Sequence, residues 1–357
     1  MNQQRLTRVI ENMKRFGLEQ LIVSSPDSIF YLLGVKIHPG ERLMALYIDE
    51  SGKAALFLNE LFPLDRDLGL PVHFYNDTED PILALSERIA ADKNIGIDKE
   101  WPSQFLIRLM KKMPDLKIEL GSPAIDYTRM VKDAEEIEKM RKASRVNDKV
   151  VAEAIELVKS GLTEIEVSKA LAEVYAKYDT PAFSFEPLIA YGSNAAEPHH
   201  SSDDTPLANN SCVIIDIGGM TDHYASDMTR SVFKGNPNDE YLTIYDLVKR
   251  ANEAAIQAVK PGVKLSEIDK VARDIISEAG YGKYFTHRLG HNAGINVHEF
   301  PDVSMTSEVV AEPGMVFSIE PGIYLTDQYG VRIEDLVLVT EKGCEVLNQY
   351  SKELQMI

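Results

Sequence analysis

At 357 residues, 44% hydrophobic and 26% charged, the chain has the composition of an ordinary globular protein and is long enough for two domains rather than one core. Thirty-eight basic against 56 acidic side chains give a formal charge of −18, which repels phosphate and argues against a nucleic-acid or anionic-membrane partner. Two cysteines, Cys212 and Cys344, cannot build a disulfide framework, and no stretch approaches the roughly 18 apolar residues of a membrane span.

Residues 1–20 carry Arg5, Arg8, Glu11, Lys14 and Arg15 without a continuous apolar segment. They read as an amphipathic helix and not as a signal peptide, so the cytoplasm is the expected compartment. A short strand follows at Gln20–Val23. Ile29–Leu33 leads into Gly34 and the polar turn His38–Arg42. Apolar runs at 43–48 and 53–58 flank Asp49-Glu-Ser-Gly52, the pattern of a hairpin. Helix is expected over 80–91, strand over 94–98 and helix again over 102–112. The alternation predicts an α/β domain over residues 1–125, with the boundary near Ser122–Asp126. A long charged helix starts near Asp133 and runs past Val150, opening a second domain over 126–357.

The second domain contains a near-repeat. Val158-Lys-Ser-Gly-Leu-Thr-Glu-Ile-Glu166 resembles Val259-Lys-Pro-Gly-Val-Lys-Leu-Ser-Glu-Ile-Asp269. In both, Ser or Thr precedes an acid by three positions (Thr163 to Glu166, Ser266 to Asp269), as in a capping box. Each predicted helix leads through an aromatic segment and a histidine-bearing loop to an apolar strand ending in an acid. These strands are Cys212-Val-Ile-Ile-Asp216 and Met315-Val-Phe-Ser-Ile-Glu320. The spacing implies two similar αβ halves related by a pseudo-twofold axis that brings the acids together.

A carboxylate at the end of a buried strand is expensive unless neutralised. Each strand is followed by a second acid, Asp227 or Glu334, and His291 lies between the pairs. Singly, each of these residues has an ordinary structural reading; together they ask for metal. Four carboxylates carry about −4, which two divalent cations would balance and one would leave in excess. Oxygen donors with one imidazole suit Mn(II), Mg(II), Co(II) or Zn(II). Two such ions can hold a bridging hydroxide and polarise a carbonyl, the chemistry of a hydrolase. Around His291 stand His287 and His298, with Gly290 and Gly294 allowing the backbone close to a ligand. His199 lies in the loop before the first acid-ending strand.

The strings Asp216-Ile-Gly-Gly, Ser226-Asp227-Met-Thr-Arg230, His291-Asn-Ala-Gly-Ile-Asn-Val-His298-Glu, Glu312-Pro-Gly-Met-Val-Phe-Ser-Ile-Glu320-Pro-Gly-Ile-Tyr324 and Val331-Arg-Ile-Glu334-Asp resemble the pita-bread metallopeptidases. Pro198-His199 and the first domain resemble the proline-specific branch, the Xaa-Pro dipeptidases (prolidases) and Xaa-Pro aminopeptidases. The resemblance covers essentially the whole chain. It implies a creatinase-like N-terminal α/β domain and a C-terminal pita-bread domain, α/β (α+β) overall. It also implies that Asp216, Asp227, His291, Glu320 and Glu334 bind two divalent metals, with Mn(II) expected and Co(II) or Zn(II) as alternatives. Asp227 and Glu334 would bridge them. Glu320 would also shuttle the proton, His298 would support the substrate carbonyl, and His199 and His287 would line the pocket. Arg332 would orient an active-site histidine or the substrate. Two positions depart from the family pattern: Asn292 and His200 stand where glycine is usual.

The implied reaction is hydrolysis of the bond between an N-terminal residue and proline. Proline has no N–H and a fixed φ, so its pocket needs an apolar wall, for which Phe183, Phe185 and Tyr224 are candidates. Arg288 is a candidate to bind the free carboxylate of a dipeptide. Arg42, a candidate substrate-binding residue, follows a loop resembling the prolidase segment that reaches across a homodimer interface to cover the partner's active site. Both arginines favour a dipeptidase over an aminopeptidase acting on longer peptides. Methionine aminopeptidases resemble the second domain alone, and creatinase-like enzymes lack the ligands. A catalytically inactive pita-bread binding protein is the alternative of another class.

Overall fold

The computed structural model describes residues 1–357. The chain divides into two compact units, Met1–Arg129 and Met130–Ile357.

The first unit begins with α1 (Gln3–Arg15), whose Asn2 side chain caps the helix by accepting from the Arg5 N–H. There follow β1 (Gln20–Val23), α2 (Pro26–Leu33), β2 (Ala45–Asp49), β3 (Ala54–Asn59), β4 (Val72–Tyr75), α3 (Pro81–Arg88), β5 (Ile95–Ile97), α4 (Ser103–Lys112), β6 (Ile118–Leu120) and α5 (Ser122–Met130). The six strands form one mixed sheet in the order β4-β3-β2-β1-β5-β6. The β2–β3 hairpin forms as expected. Asp49 accepts from the Ser51 and Lys53 backbone N–H groups, and Gly52 takes φ +84°, a region open to it for want of a Cβ. Segment 29–33 lies inside α2, which starts at Pro26 and ends on left-handed Gly34. Strands β4 and β6 have no counterpart in the sequence reading. Both are short and largely solvent-facing, so they carry no apolar signal. Ile22, Tyr47, Phe57, Ile95, Trp101 and Leu109 build the core of this unit. Arg42 is held within it by Asp77, through Nε and Nη2 at 2.8 Å each, and by Glu41 at 2.9 Å.

The second unit opens with α6 (Ala134–Lys159), started by a full capping box between Asp133 and Glu136. Its first half continues with α7 (Glu164–Ala176), β7 (Leu188–Tyr191), β8 (Ser211–Ile217), β9 (Met220–Thr221), β10 (Tyr224–Ala225) and β11 (Met228–Lys234). The second half repeats the plan with α8 (Asp239–Ala258), α9 (Leu265–Glu278), β12 (Gly290–Asn292), β13 (Glu299–Val303), β14 (Val316–Ile319), β15 (Gly322–Leu325), β16 (Tyr329–Arg332), β17 (Asp335–Val339) and β18 (Cys344–Val346). The short β19 (Gln355–Met356) returns to pair with β11.

Two sheets result, β19-β11-β8-β7 and β13-β12-β14-β17-β18. The triplets β7-β8-β11 and β12-β14-β17 correspond, each with a small hairpin (β9–β10 or β15–β16) between its second and third members. The inferred duplication is therefore present in the strand order. It extends to side chains that the sequence comparison did not match. Asn147 on α6 donates to the Ile217 carbonyl at the end of β8, and Asn252 on α8 donates to the Ile319 carbonyl at the end of β14, both at 2.8 Å. Each buried amide holds a helix against the strand end that carries an acid.

The paired helix starts are less alike than expected. Thr163 and Glu166 form a capping box at α7. At α9 the cap position is Lys264, and Ser266 lies inside the first turn. Asp269 accepts instead from Arg273 and from the Leu289 backbone N–H at 3.1 Å, fastening the entry to β12. A half-buried arginine partner and a buried backbone donor outweigh the local cap.

Candidate metal centre

The two acid-ending strands are buried along almost their whole length, which is why their sequences read as unbroken apolar runs. Antiparallel pairing then places the four acids. Asp216 on β8 lies opposite Thr229 on β11, whose strand Asp227 immediately precedes. Ile319 on β14 lies opposite Asp335 on β17, so Glu320 and Glu334 flank that pair. His291 is the middle residue of β12, the neighbour of β14. Gly290 is required beside it, since a Cβ there would lie 1.9 Å from the Ser318 carbonyl oxygen. Gly294 faces the Glu299 carboxylate and not a ligand.

Donor atoms of Asp227, His291 and Glu334 lie within 4.8 Å of one another, and all three residues are buried. His291 Nε2 is 3.3 Å from Glu320 Oε1 and 3.6 Å from Asp227 Oδ2. Thr229 donates to Glu334 at 2.7 Å, and Ser318 donates to Glu320 at 3.0 Å. Arg332 donates to Asp216 Oδ2 at 2.6 Å, whereas the buried Asp216 Oδ1 has no hydrogen-bond partner. Burial, reinforced by the neighbouring carboxylates, holds Asp227 and Glu334 well above the usual carboxylate range. Burial raises Asp216 too, against the pull of Arg332. Glu320 goes the other way. Burial raises it, but the hydrogen bond and charge of His291 outweigh that and bring it to about 2. A largely buried cluster of converging acids with an orphaned oxygen and one imidazole is a donor set that fits divalent cations.

The five residues floor a cavity of about 840 Å³, which His199, His200, His287, His298, Arg288 and Arg332 also line. The His287 ring bonds the Tyr324 hydroxyl through Nε2 at 2.9 Å, and Arg332 donates to that hydroxyl at 2.9 Å. Arg332 therefore orients His287 through Tyr324, a residue that no charge or spacing singled out. The His298 ring sits 4.1 Å from that of His291, between centroids. Partial burial, with His291 and Arg288 nearby, pushes His298 down to about 4. Arg288 is paired with Asp302 at 2.7 Å. Of the three aromatic candidates only Phe185 lines the cavity, joined by Ile165, Pro187 and Val297. Phe183 packs edge-on against Tyr175, and Tyr224 is buried with its hydroxyl on Glu136.

The two departures from the family pattern have partners. Asn292 lies outside the cavity lining. It accepts from the buried Lys132 ammonium at 2.6 Å and donates to the Met130 carbonyl at 3.3 Å. His200 lines the cavity and meets Glu164 at 2.7 Å.

Residues 138–341 match the model of metallopeptidase family M24, and residues 5–131 match the creatinase/prolidase N-terminal domain. The chain belongs to metallopeptidase family M24. An uncharacterized peptidase of Staphylococcus aureus (strain bovine RF122 / ET3-1) is 36% identical over 98% of this chain and 99% of its own length. Among solved structures, a dipeptidase from Pyrococcus horikoshii OT3 superposes with a TM-score of 0.90 at 33% identity, covering 99% of this chain and 100% of that one. A prolidase from Thermococcus sibiricus superposes with a TM-score of 0.91 at 32% identity, covering all of both chains. The second unit of this M24 metallopeptidase thus has the pita-bread fold, and the first is the creatinase/prolidase N-terminal domain. That domain separates the chain from methionine aminopeptidases. No helix is long and apolar enough to cross a membrane.

Proposed function

We propose that the protein is an Xaa-Pro dipeptidase using two divalent cations, Mn(II) foremost, held by Asp216, Asp227, His291, Glu320 and Glu334. The observation that carries this reading is the convergence of all five donors on one cavity floor. The full-length likeness to a dipeptidase and a prolidase supports it. When bound, the cations would supply an activated water and polarise the scissile carbonyl.

The residues of this chain do the rest. His298, held neutral by its lowered pKa, offers an N–H to the developing oxyanion, a contribution often worth several kcal/mol. Glu320, ionised at neutral pH, accepts the proton of the attacking water and returns it to the proline nitrogen as the C–N bond breaks. Phe185, Ile165, Pro187 and Val297 supply an apolar wall for the proline ring. Arg288 offers a cation to the free carboxylate of a dipeptide. His199 and His287 border the acyl side, His287 fixed by Tyr324. The proposal extends to a cytoplasmic homodimer, with Arg42 at the interface.

Hydrolysis of Ala-Pro and Ala-Pro-Ala with Mn(II), Co(II) or Zn(II) added in turn to metal-stripped protein tests the reading. Ala-Pro should be the better substrate and Mn(II) the best activator. Preferential cleavage of Ala-Pro-Ala would replace dipeptidase with aminopeptidase. Inactivity with every ion and both peptides would overturn the assignment. Sedimentation velocity checks the dimer.

A further inference from the structure

Glu164 is the first residue of α7 and its side chain is fully buried. It is not a site acid, yet both its oxygens are saturated. Oε1 accepts from the Tyr191 N–H at 2.6 Å and from Asn194 Nδ2 at 3.0 Å. Oε2 accepts from the Asp203 N–H at 3.1 Å and meets His200 Nε2 at 2.7 Å. Two of these four donors belong to the loop that runs from the end of the short helical turn at Ala196 to the start of β8 at Ser211. That loop carries His199 into the cavity.

A loop this long inside a compact domain needs pins if its side chains are to hold one place. Arg332 supplies one, donating to the Pro198 carbonyl at 3.3 Å. The Ile165 N–H supplies another, donating to the Asp203 carbonyl at 2.9 Å. Between them His199 is followed directly by His200, whose ring reaches away to Glu164. Where this position is glycine, that tether does not exist. We propose that Glu164 is a positioning residue for His199, acting through His200 and the Asp203 backbone. The inference rests on the metallopeptidase reading for its kinetic consequence but not for its structural one.

The donor atoms of Glu164, His200 and Asp203 also lie within 4.8 Å of one another, as metal ligands do. Four hydrogen bonds, that of His200 among them, already occupy the Glu164 carboxylate, which favours a tether there over a cation site.

Three variants test the proposal: Glu164→Gln, His200→Ala and the conservative His200→Gln. His200 is on the cavity wall, so its truncation leaves the core intact even if Glu164→Gln fails to fold. Hydrogen exchange of the backbone over 197–205 should speed up about tenfold or more in His200→Ala, and His200→Gln should restore most of the protection. With Ala-Pro, kcat of His200→Ala should fall by about ten- to a hundredfold, with KM changed by less than about threefold and full metal content retained, because a displacement of about 1 Å near the reacting atoms suffices for such a loss. Unchanged exchange and unchanged kcat in His200→Ala would overturn the proposal. So would loss of an additional bound metal equivalent in that variant. If the wild type proves inactive on every Xaa-Pro peptide, the substrate reading falls, and the exchange measurement alone still decides the role of Glu164.

Discussion

Arg332 donates one hydrogen bond to Asp216, at 2.6 Å, and leaves the other oxygen of that carboxylate without a partner. The two side chains are nearly buried, and Arg332 also holds Thr229, Tyr324 and the Pro198 carbonyl. One guanidinium thus ties a candidate ligand to the residue that orients His287 and to the loop that carries His199. Removing one partner of a buried pair costs about 3–5 kcal/mol, since the other charge is left uncompensated. The Arg332→Met variant should therefore melt well below wild type when stripped of metal. Adding Mn(II) should recover part of the loss, because the cation takes over the neutralisation of Asp216. Thermal melts with and without the ion check both halves of this expectation.

Glu320 differs from its fellow acids in being held low, at about 2, by His291 against its own burial. It is therefore ionised at neutral pH, the form that can accept a proton. Glu320→Gln keeps the shape and removes that capacity. Turnover of Ala-Pro should fall by about a thousandfold or more, within the range of general acid–base effects. Retained wild-type turnover would remove Glu320 from the mechanism.

Much of this site was legible because its residues sit at ends of apolar strands, where an acid breaks an otherwise continuous pattern. Asp216 and Glu320 announce themselves in that way, and the near-repeat relates them. The supporting residues leave no such trace. Asn147 and Asn252 look like ordinary helix polar residues until both are seen to donate to strand-end carbonyls. Tyr324 lies in a conspicuous string, but its role as the link between Arg332 and His287 depends on a fold-back that spacing does not encode. Ser266 and Asp269 mimic a helix start because they occupy the positions of Thr163 and Glu166. Only the three-dimensional placement of Arg273 and Leu289 shows Asp269 to be a tertiary anchor. Neither Tyr224 nor Phe183 reaches the wall: Tyr224 is buried on Glu136, and Phe183, only partly buried, packs against Tyr175.

Metal loading should release protons. Burial, with neighbouring carboxylates added, raises Asp227 and Glu334 above the ordinary range in the metal-free protein. A cation binds only their ionised forms, so each proton still held must leave. Apparent affinity for Mn(II) should therefore decline as pH falls, starting above the ordinary carboxylate pKa of about 4. The same shifts act on stability. The folded, metal-free chain holds these protons more tightly than the unfolded one. Their stabilising contribution is thus fully present below the ordinary pKa and is lost as pH rises through the raised values. Titration calorimetry in buffers of different ionisation enthalpy should give a positive count of released protons per chain. A count of zero between pH 5 and 7 would contradict the raised values.

Asn252 tests whether the duplicated framework matters to the site. Its amide donates to the Ile319 carbonyl at 2.8 Å and its oxygen accepts from Lys352 at 2.7 Å, while the residue is fully buried. Truncation leaves a buried carbonyl and a cation short of partners, at about 1–3 kcal/mol for the unsatisfied group. Asn252→Ala should lower the melting temperature and weaken Mn(II) binding, since Ile319 precedes Glu320. Asn252→Asp offers no donor and should resemble the alanine variant, not the wild type.

Arg288 is where the proposed preference for dipeptides can be tested. It lines the cavity, yet Asp302 already holds it at 2.7 Å on a partly exposed surface. A dipeptide carboxylate would have to compete with Asp302 for the guanidinium, and such exposed pairs are worth only about 1 kcal/mol or less. Competition of that size is readily won by a substrate anion held on a structured wall. Arg288→Ala should therefore raise KM for Ala-Pro by about tenfold while leaving kcat within about twofold, the pattern of lost binding that is equal in ground and transition states. Asp302→Asn should act in the opposite direction, freeing the guanidinium and lowering KM. Ala-Pro amide, which lacks the carboxylate, should be insensitive to both changes. Equal effects of Arg288→Ala on the dipeptide and its amide would assign the arginine to packing and take away the main side-chain argument for a dipeptidase.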